Sequence, residues 1–374
     1  MSELPTSVPA RPRLVSGLPL LRRRIGELQI GLDPRHAAVL GGLPDRVLGA
    51  VHRLTGDRTG EQALAELRPA DRPVMAGLLH LLADHGLLED AADRPAAPPG
   101  RFAGELTTAA ARRVRAGLTP DDPDARQRFS VAVQGDGRLA VAVAVLLAGA
   151  GVGRVTVTAD GTVHPEDTGT GYRAEDLGRT RRAAARDALR RADAGVRTTR
   201  FQGGQVPDLV VLTDALVPDP DRVAALTESA TPHLLARFRD GTGIVGPLVV
   251  PGLTSCLRCA DLHRCDRDEC WPQLAVQLAG RVQLADLATT QATAAFTAAQ
   301  ALDALAWLHG APEQPATCEA TVELDPHALS SHSRCWSAHP KCSCDVAAKS
   351  SHRAKLAADT TIQLRQSCGD GDAT

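Results

Sequence analysis

The stretch that decides the fold reads PGLTSCLRC over residues 251–259, a Cys-x-x-Cys pair placed after a Pro-Gly turn. A second pair lies far downstream in Cys342-Ser343-Cys344, behind His339-Pro340. Two thiolate pairs held by tight turns can make a tetrahedral four-sulfur zinc site. Four reduced thiols without metal, or a disulfide, are the alternatives. We predict a structural zinc ion, which closes one domain on itself, at Cys256, Cys259, Cys342 and Cys344.

Length, charge and composition narrow the class of protein. The 374 residues are enough for two domains, each with its own core. A net charge of −2 and an aromatic content of 2% argue against a nucleic-acid or membrane-surface binder, which needs a basic face or stacking platforms. The only lysines are Lys341, Lys349 and Lys355. Phosphate contacts in the body of the protein must therefore come from arginine or from backbone N–H groups.

Nothing in the sequence is typical of a targeting or membrane-spanning segment. The N-terminus is polar and contains proline, and the longest apolar run, around 139–152, is too short to cross a bilayer. We therefore expect a cytoplasmic protein with reduced thiols, a setting that favours metal binding over disulfides.

Residues 1–90 predict a small winged-helix-like α+β domain. Two strands, three amphipathic helices and a closing strand follow one another, at 18–22, 27–32, 45–54, 61–67, 73–85 and 87–89. Peptide binding is the function we expect, and a structural or dimerisation role is the alternative. DNA binding is disfavoured because the first helix offers only Arg46, His52 and Arg53 as basic groups. Residues 91–124 are interpreted as a linker with a bridging helix.

Residues 125–344 begin with a strand-loop-helix-strand pattern. A buried strand at 129–134 leads into Gly135-Asp136-Gly137, a helix to residue 150 and a second strand at 154–158. Glycines at such a loop let the backbone approach a phosphate at a helix N-terminus, although this fingerprint is degenerate. A later strand at 208–212 ends near Asp214, whose carboxylate would point into the ligand crevice.

The rest of the domain predicts further strands and helices. The expected strands are 196–201, 233–238, 243–250, 321–324 and 334–337, and the expected helices are 175–194, 220–229 and a hairpin over 273–309. Cys265 and Cys270 lie in an acidic stretch that predicts a loop with surface thiols, because acidic neighbours raise a thiol pKa. Residues 345–374 lose the hydrophobic pattern and are predicted to be disordered, with Cys368 as a free thiol.

This order of elements resembles the ThiF/MoeB family, which has the fold of ubiquitin-activating enzymes. The resemblance covers about residues 125–345 and implies a Rossmann-like α/β domain that is closed by a structural zinc site. The N-terminal domain resembles PqqD-like peptide-recognition domains, in which a leader peptide adds a strand to a sheet edge. The combination is similar to actinobacterial ThiF-like partners of YcaO cyclodehydratases. It implies a peptide or protein substrate, a YcaO-type modifying enzyme as a further partner, and a homodimer.

The resemblance also implies roles for single residues around bound ATP and magnesium. Gly135 and Gly137 would lie under ATP, and Asp214 occupies the position of the magnesium aspartate. Arg181 occupies the position of a phosphate-binding lysine. The family's ribose-binding motif has two acidic positions. This chain has no acidic residue at either position and has Asp160 between them.

Asp167 stands in the asparagine position of the motif, and Thr170 stands where an arginine is expected. Losing one phosphate contact can cost ~3 kcal/mol in the transition state, or ~100-fold in rate. We therefore expect a protein that binds and presents a peptide, with degenerate ATP chemistry. The alternative is an active ATP-dependent adenylyltransferase acting on a peptide or sulfur-carrier C-terminal carboxylate. A nicotinamide-dependent oxidoreductase is a further alternative, and only the glycine loop supports it.

Overall fold

The structure is a computed structural model that describes residues 8–15, 17–34, 37–92, 102–105, 108–109, 112, 125–213 and 215–344. The chain divides into two compact units, Met1–Pro123 and Asp124–Thr374, and each is described by itself. The predictions for the tail at 345–374, for Cys368 and for Asp214 fall outside the described residues, as does most of the predicted bridging helix.

Among its described residues, the first unit has five short strands and three helices whose bounds are defined, besides helical residues between 103 and 112. In chain order they are β1 (Pro12–Leu14), β2 (Leu20–Arg22), β3 (Leu28–Ile30), β4 (Ala38–Leu40), α1 (Asp45–His52), α2 (Gly60–Ala65), α3 (Arg72–Asp84) and β5 (Leu88–Asp90). β2, β3 and β4 form an antiparallel sheet in that order, and β1 pairs with β5. The sequence did not predict β1 and β4, because β1 begins at Pro12 and β4 follows the chain break predicted at Asp33-Pro34.

Apolar spacing and capping explain the helices of this unit. α1 buries Val47, Leu48 and Val51 at the i, i+1, i+4 spacing of one helical face. α2 begins with a capping box, in which the Thr59 side chain accepts from the Gln62 N–H and the Gln62 side chain accepts from the Thr59 N–H. These helices pack over the sheet around one hydrophobic core.

The second unit is built on a seven-stranded sheet. Its elements are β6 (Ser130–Gln134), α4 (Arg138–Gly149), β7 (Arg154–Thr158), α5 (Arg181–Ala192), β8 (Leu209–Thr213), α6 (Pro220–Glu228), β9 (His233–Arg239), β10 (Thr242–Val249), α7 (Leu257–Arg267), α8 (Trp271–Leu278), α9 (Leu287–Leu308), β11 (Ala320–Asp325) and β12 (Ser330–Cys335). The strand order is β12-β11-β10-β9-β8-β6-β7. β7, β6, β8 and β9 run parallel, and β9 to β12 alternate in direction.

Three predictions for this unit need correction. The stretch after the first cysteine pair, predicted to be a loop, forms α7. The helix predicted from residue 175 begins at Arg181, after two short 3-10 turns at Pro165–Asp167 and Ala174–Asp176. The predicted strand at 196–201 makes only an isolated bridge, between Arg154 and Arg197. Only two of the six residues from Val196 to Phe201 are apolar, and β-propensity without side-chain packing is not enough to form a strand.

Packing on one face of the sheet is close. α4 and α9 contribute to the largest core, together with the buried valines and leucines of β6, β7 and β8. Gly243 lies under α9, where a Cβ atom would come within 2.0 Å of the Thr293 Oγ1. The carboxyl ends of the parallel strands consequently lie at one edge of a rigid sheet. Among the described residues, no helix combines the length and apolar character needed to cross a bilayer.

Candidate functional site

The four cysteines predicted to bind metal come together. The Sγ atoms of Cys256 and Cys259 lie 3.7 Å apart, those of Cys256 and Cys342 lie 3.6 Å apart, and those of Cys259 and Cys344 lie 3.3 Å apart. Zinc–sulfur bonds of ~2.3 Å in a tetrahedron place sulfurs roughly 3.8 Å apart. The cluster is therefore compatible with a zinc ion, which would be held by four thiolates with a structural role.

The first cysteine pair is positioned by a turn and a helix. Cys256 is the residue before α7, and the N–H of Cys259 donates to its carbonyl oxygen at 3.0 Å. Upstream, the Thr254 Oγ1 accepts from the N–H of Val250 at 2.8 Å, and the N–H of Ser255 donates to Glu319 Oε1 at 3.0 Å. The Pro-Gly turn is thus fixed to the end of β10 and to the start of β11.

Metal binding at this cluster is coupled to proton release. Burial raises the pKa of the Cys256 thiol well above its ordinary value. The thiol is therefore protonated when no cation is present, and a metal ion must displace that proton to bind.

A histidine supports the second cysteine pair. His339 is almost fully buried, its Nε2 lies 2.7 Å from Asp266 Oδ2, and its Nδ1 accepts from the N–H of Lys341 at 3.1 Å. Both ring nitrogens are therefore engaged. His263 lies close to this pair, and its Nε2 lies 3.0 Å from the Ser337 carbonyl oxygen. We interpret the group as a brace that joins α7 to the turn before Cys342.

The glycine loop lies at the predicted place. Gly135 follows β6 with a φ of 158°, and Gly137 is the N-cap of α4. Asp136, between them, accepts a hydrogen bond from the N–H of Asp160 at 2.7 Å. This contact places a carboxylate in the loop over which phosphates would lie. Asp136 had no role predicted from the sequence.

Arg181 is held by acceptors of the protein itself. Its Nε and Nη2 donate to Asp167 Oδ2 at 3.0 and 2.8 Å, and its Nη1 donates to the carbonyl oxygen of Asp160 at 3.0 Å. The Asp167 side chain is 6% exposed and the Arg181 side chain 17%. The side chain of Asp160 is 88% exposed. The structure thus brings Gly135, Asp160 and Arg181 to one edge of the sheet.

Neighbouring positions of the predicted ATP motif also make internal contacts. Thr170 Oγ1 donates to the carbonyl oxygen of Arg138 at 3.0 Å, and Arg138 Nε donates to that of Glu166 at 2.6 Å. At the end of β8, Thr213 Oγ1 donates to the carbonyl oxygen of Gln134 at 3.1 Å. The next residue, Asp214, lies outside the described part, so its predicted magnesium role stays a prediction.

Comparison with known proteins identifies the class of fold. The ThiF family profile matches residues 112–346, and the chain belongs to the ThiF family. No curated protein matches the chain in sequence.

Solved structures with the same fold cover nearly the whole chain. One is MccB from E. coli with AMPCPP and MccA, 13% identical, covering 90% of this chain and 99% of MccB, with a TM-score of 0.67. Another is E. coli MccB with ATP, 14% identical over 89% of this chain and 99% of the other, with a TM-score of 0.65. PaaA is 15% identical over 86% of this chain and 99% of its own, with a TM-score of 0.59. At these identities the likeness establishes a mixed α/β, largely parallel fold.

Proposed function

We propose that the chain binds a precursor peptide or protein partner and presents it for modification, with little or no ATP turnover of its own. The Asp167–Arg181 ion pair carries this proposal. The arginine at the position of the family's phosphate-binding lysine donates to a buried carboxylate and to a backbone oxygen. Three of its five N–H groups are used in these bonds, and its charge is already offset by Asp167, so less of the arginine is left for phosphate.

The charge around the glycine loop supports the same conclusion. Asp136 adds a carboxylate within the glycine loop, Asp167 stands at the family's asparagine position, and Thr170 stands where an arginine is expected. Separating a buried ion pair costs about 3–5 kcal/mol. The carboxylates of Asp136 and Asp167 also repel a triphosphate. Together, the cost of separating the ion pair and this repulsion remove much of the binding free energy of ATP.

The first unit offers an edge for a peptide strand. β4 is an edge strand among the described residues, and it pairs with β3 through residues 38 and 40. By the antiparallel pattern, the N–H and C=O groups of Val39 face away from β3. Val39 is 48% exposed and carries no charge. The opposite edge, β2, runs into Arg22-Arg23-Arg24, charges that discourage strand addition.

The likeness to MccB is consistent with this assignment. MccB has been crystallised with the peptide MccA. We propose a PqqD-like role for the first unit, a YcaO-type enzyme as the one that modifies the peptide, and a homodimer as the assembly. Structural zinc at the four cysteines would hold the second unit together.

Active adenylation is the second candidate, and one observation favours it. The glycine loop lies at the N-terminus of α4, a 12-residue helix whose first N–H groups can bind phosphate. ATP with magnesium would bind there, and the peptide carboxylate would be adenylated.

Peptide selection from a displayed library on the full-length protein, followed by ATP–pyrophosphate exchange with the selected peptide, tests both candidates. We expect a peptide whose affinity falls at least about tenfold in Val39→Pro and changes little in Val39→Ala, because only proline removes the outward N–H. Exchange should stay at background. Exchange that depends on the peptide would contradict the proposal and establish the adenylyltransferase.

A further inference from the structure

The cleft beside β9 points to a ligand that nothing above assigns. We propose that Arg237 and Arg264 form a binding site for a single carboxylate group carried by the peptide partner. The inference rests on the proposed function only in that the carboxylate belongs to a peptide. The site itself is defined by residues of the second unit.

Arg237 is a buried cation with unused hydrogen-bonding capacity. It is 3% exposed, and its Nη1 donates to the carbonyl oxygen of Gly246 at 2.9 Å. Its Nε is buried and has no hydrogen-bond partner among the described residues. A buried N–H group of a cation without an acceptor is costly, and proteins retain such groups where a ligand completes them.

The side chain of Arg237 lines a small, open cleft, in which the centres of water-sized groups have about 20 Å³ of space. The cleft is formed by β9, β10, α7 and the segment after β8, and its lining includes Leu216, Val217, Pro218, Leu235, Pro247, Leu257, Ala260, Asp261 and Arg264. Most of these walls are apolar, so a charged group that enters loses its water and must be neutralised by the arginines.

Arg264 is the second cation and is held in a fixed position. Its Nη1 donates to Asp261 Oδ1 at 2.8 Å, and its guanidinium carbon lies 5.0 Å from the Trp271 ring centroid and 4.7 Å from that of Trp336. The indole N–H of Trp271 donates to the same Asp261 oxygen at 3.2 Å. These contacts pre-organise the guanidinium, which lowers the entropy lost on binding.

The charge of the cleft selects the ligand class. Two guanidinium groups and one carboxylate line it, which leaves one positive charge. Burial, assisted by the charge of Arg264, lowers the pKa of Arg237 to about 9, so this arginine is still protonated at neutral pH. One carboxylate neutralises the excess and fits the planar fork of a guanidinium. A phosphate dianion would leave a surplus negative charge and an oxygen against apolar walls.

The cleft lies at the functional edge of the sheet. In the β8–β9 ladder Thr213 pairs with Ala236, and in the β6–β8 ladder Gln134 pairs with Leu212. Arg237 follows Ala236, so it lies at the same carboxyl edge as the glycine loop, two strands away. A peptide carboxylate bound there would be anchored beside the region in which the family performs its chemistry.

Thermal unfolding of the full-length, zinc-loaded protein with small probes tests the site. The probes are N-acetylglycine as a peptide C-terminus, N-acetylaspartate amide as a side-chain carboxylate, N-acetylglycinamide as the neutral control, and inorganic phosphate at equal ionic strength. The variants are Arg237→Met, Arg264→Gln and, as the matched control, Arg222→Gln, an exposed arginine on α6 outside the cleft.

We expect one or both carboxylates to raise the midpoint of the wild type and Arg222→Gln by a few degrees at millimolar concentration. Which one acts identifies the source of the carboxylate. The shift should disappear in Arg237→Met and Arg264→Gln, and Arg237→Met should unfold no earlier than the wild type without probe. A shift that persists in Arg237→Met, a shift with phosphate alone, or no shift beyond the amide would each overturn the site. None of these outcomes depends on ATP binding, so failure here is separate from failure of the proposed function.

Discussion

Asp167 Oδ2 accepts two hydrogen bonds from Arg181, at 3.0 Å from Nε and 2.8 Å from Nη2, in a pair that is largely shielded from water. The two positions lie 14 residues apart, one in a 3-10 turn and the other at the start of α5. The pair joins the loop after β7 to α5. It also engages the guanidinium group of Arg181, which would otherwise be available to bind phosphate. The pair therefore stabilises the unit at the expense of nucleotide binding.

Asp167→Asn should release Arg181. The amide keeps the shape and an acceptor oxygen but loses the charge, so we expect ATP–magnesium affinity to rise by about tenfold, equivalent to ~1.4 kcal/mol. Isothermal titration calorimetry measures this affinity. Asp187→Asn is the matched control, since Asp187 pairs with Arg179 at the surface at 2.5 Å. Equal affinities in the two variants would show that the ion pair does not limit ATP binding.

Loss of one predicted zinc ligand should unfold the second unit. Structural zinc supplies ~10 kcal/mol or more, which is comparable to the whole stability of a domain. We expect Cys256→Ser to abolish the cooperative melting transition of this unit and to lower the zinc content, measured by metal analysis, from one per chain. Cys270→Ser changes an exposed thiol and should change neither. A Cys256→Ser protein with the native midpoint would rule out a structural metal.

Acidification should weaken the sheet through His233. This side chain is fully buried, its Nδ1 lies 3.0 Å from the Thr231 carbonyl oxygen, and burial lowers its pKa. The unfolded chain, with an ordinary pKa near 6.5, then binds more protons than the folded one. The contribution to stability is therefore intact above pH 6.5 and decreases below it, by at most ~1.4 kcal/mol per pH unit.

Urea unfolding at several pH values measures this effect. We expect the wild type to lose more stability between pH 7.5 and 5.5 than His233→Gln, which cannot titrate. His327→Gln changes a largely exposed histidine and should follow the wild type. Parallel pH profiles for the wild type and His233→Gln would contradict the assignment.

Two glycine substitutions should have opposite signs. A Cβ atom at Gly153 would lie 1.8 Å from the carbonyl oxygen of Gln127, whereas one at Gly149 has no neighbour within 4 Å. We expect Gly153→Ala to destabilise by roughly 1–3 kcal/mol through overpacking. Gly149→Ala, at the end of α4, should stabilise by about 0.5–1 kcal/mol. Denaturant midpoints measure both changes in stability. A Gly153→Ala variant with unchanged stability would contradict the close approach of Gly153 to the Gln127 carbonyl oxygen.

Much of the second unit could be predicted because its strands and helices are long and strongly apolar. The sequence located β6, β7 and the end of α4 to within a residue, and the resemblance to the ThiF family is confirmed. It did not predict α7, because the charged run from Asp261 to Asp268 lacks an apolar face. The structure shows that this helix instead stacks Arg264 on two tryptophans. Tertiary contacts, rather than periodicity, hold it.

The clustering of the four cysteines was predictable from the sequence, whereas the pairings of the polar residues near the glycine loop were not. The spacing of the cysteines was enough to predict that the four thiols lie together, since a tight turn constrains each pair. The substitution of Asp167 for asparagine was visible in the sequence, whereas its partner was not, because spacing does not show which face of a loop meets a helix. No feature of the sequence singled out Arg237, since an arginine is ordinarily a surface residue.

Titration of the zinc-loaded wild-type protein with ATP and magnesium, followed by calorimetry, tests the central claim most directly. We expect no binding up to about millimolar ATP, because Arg181 remains paired with Asp167. Micromolar binding that is lost in Arg181→Ala would contradict it, since the arginine would then serve the nucleotide and not the fold.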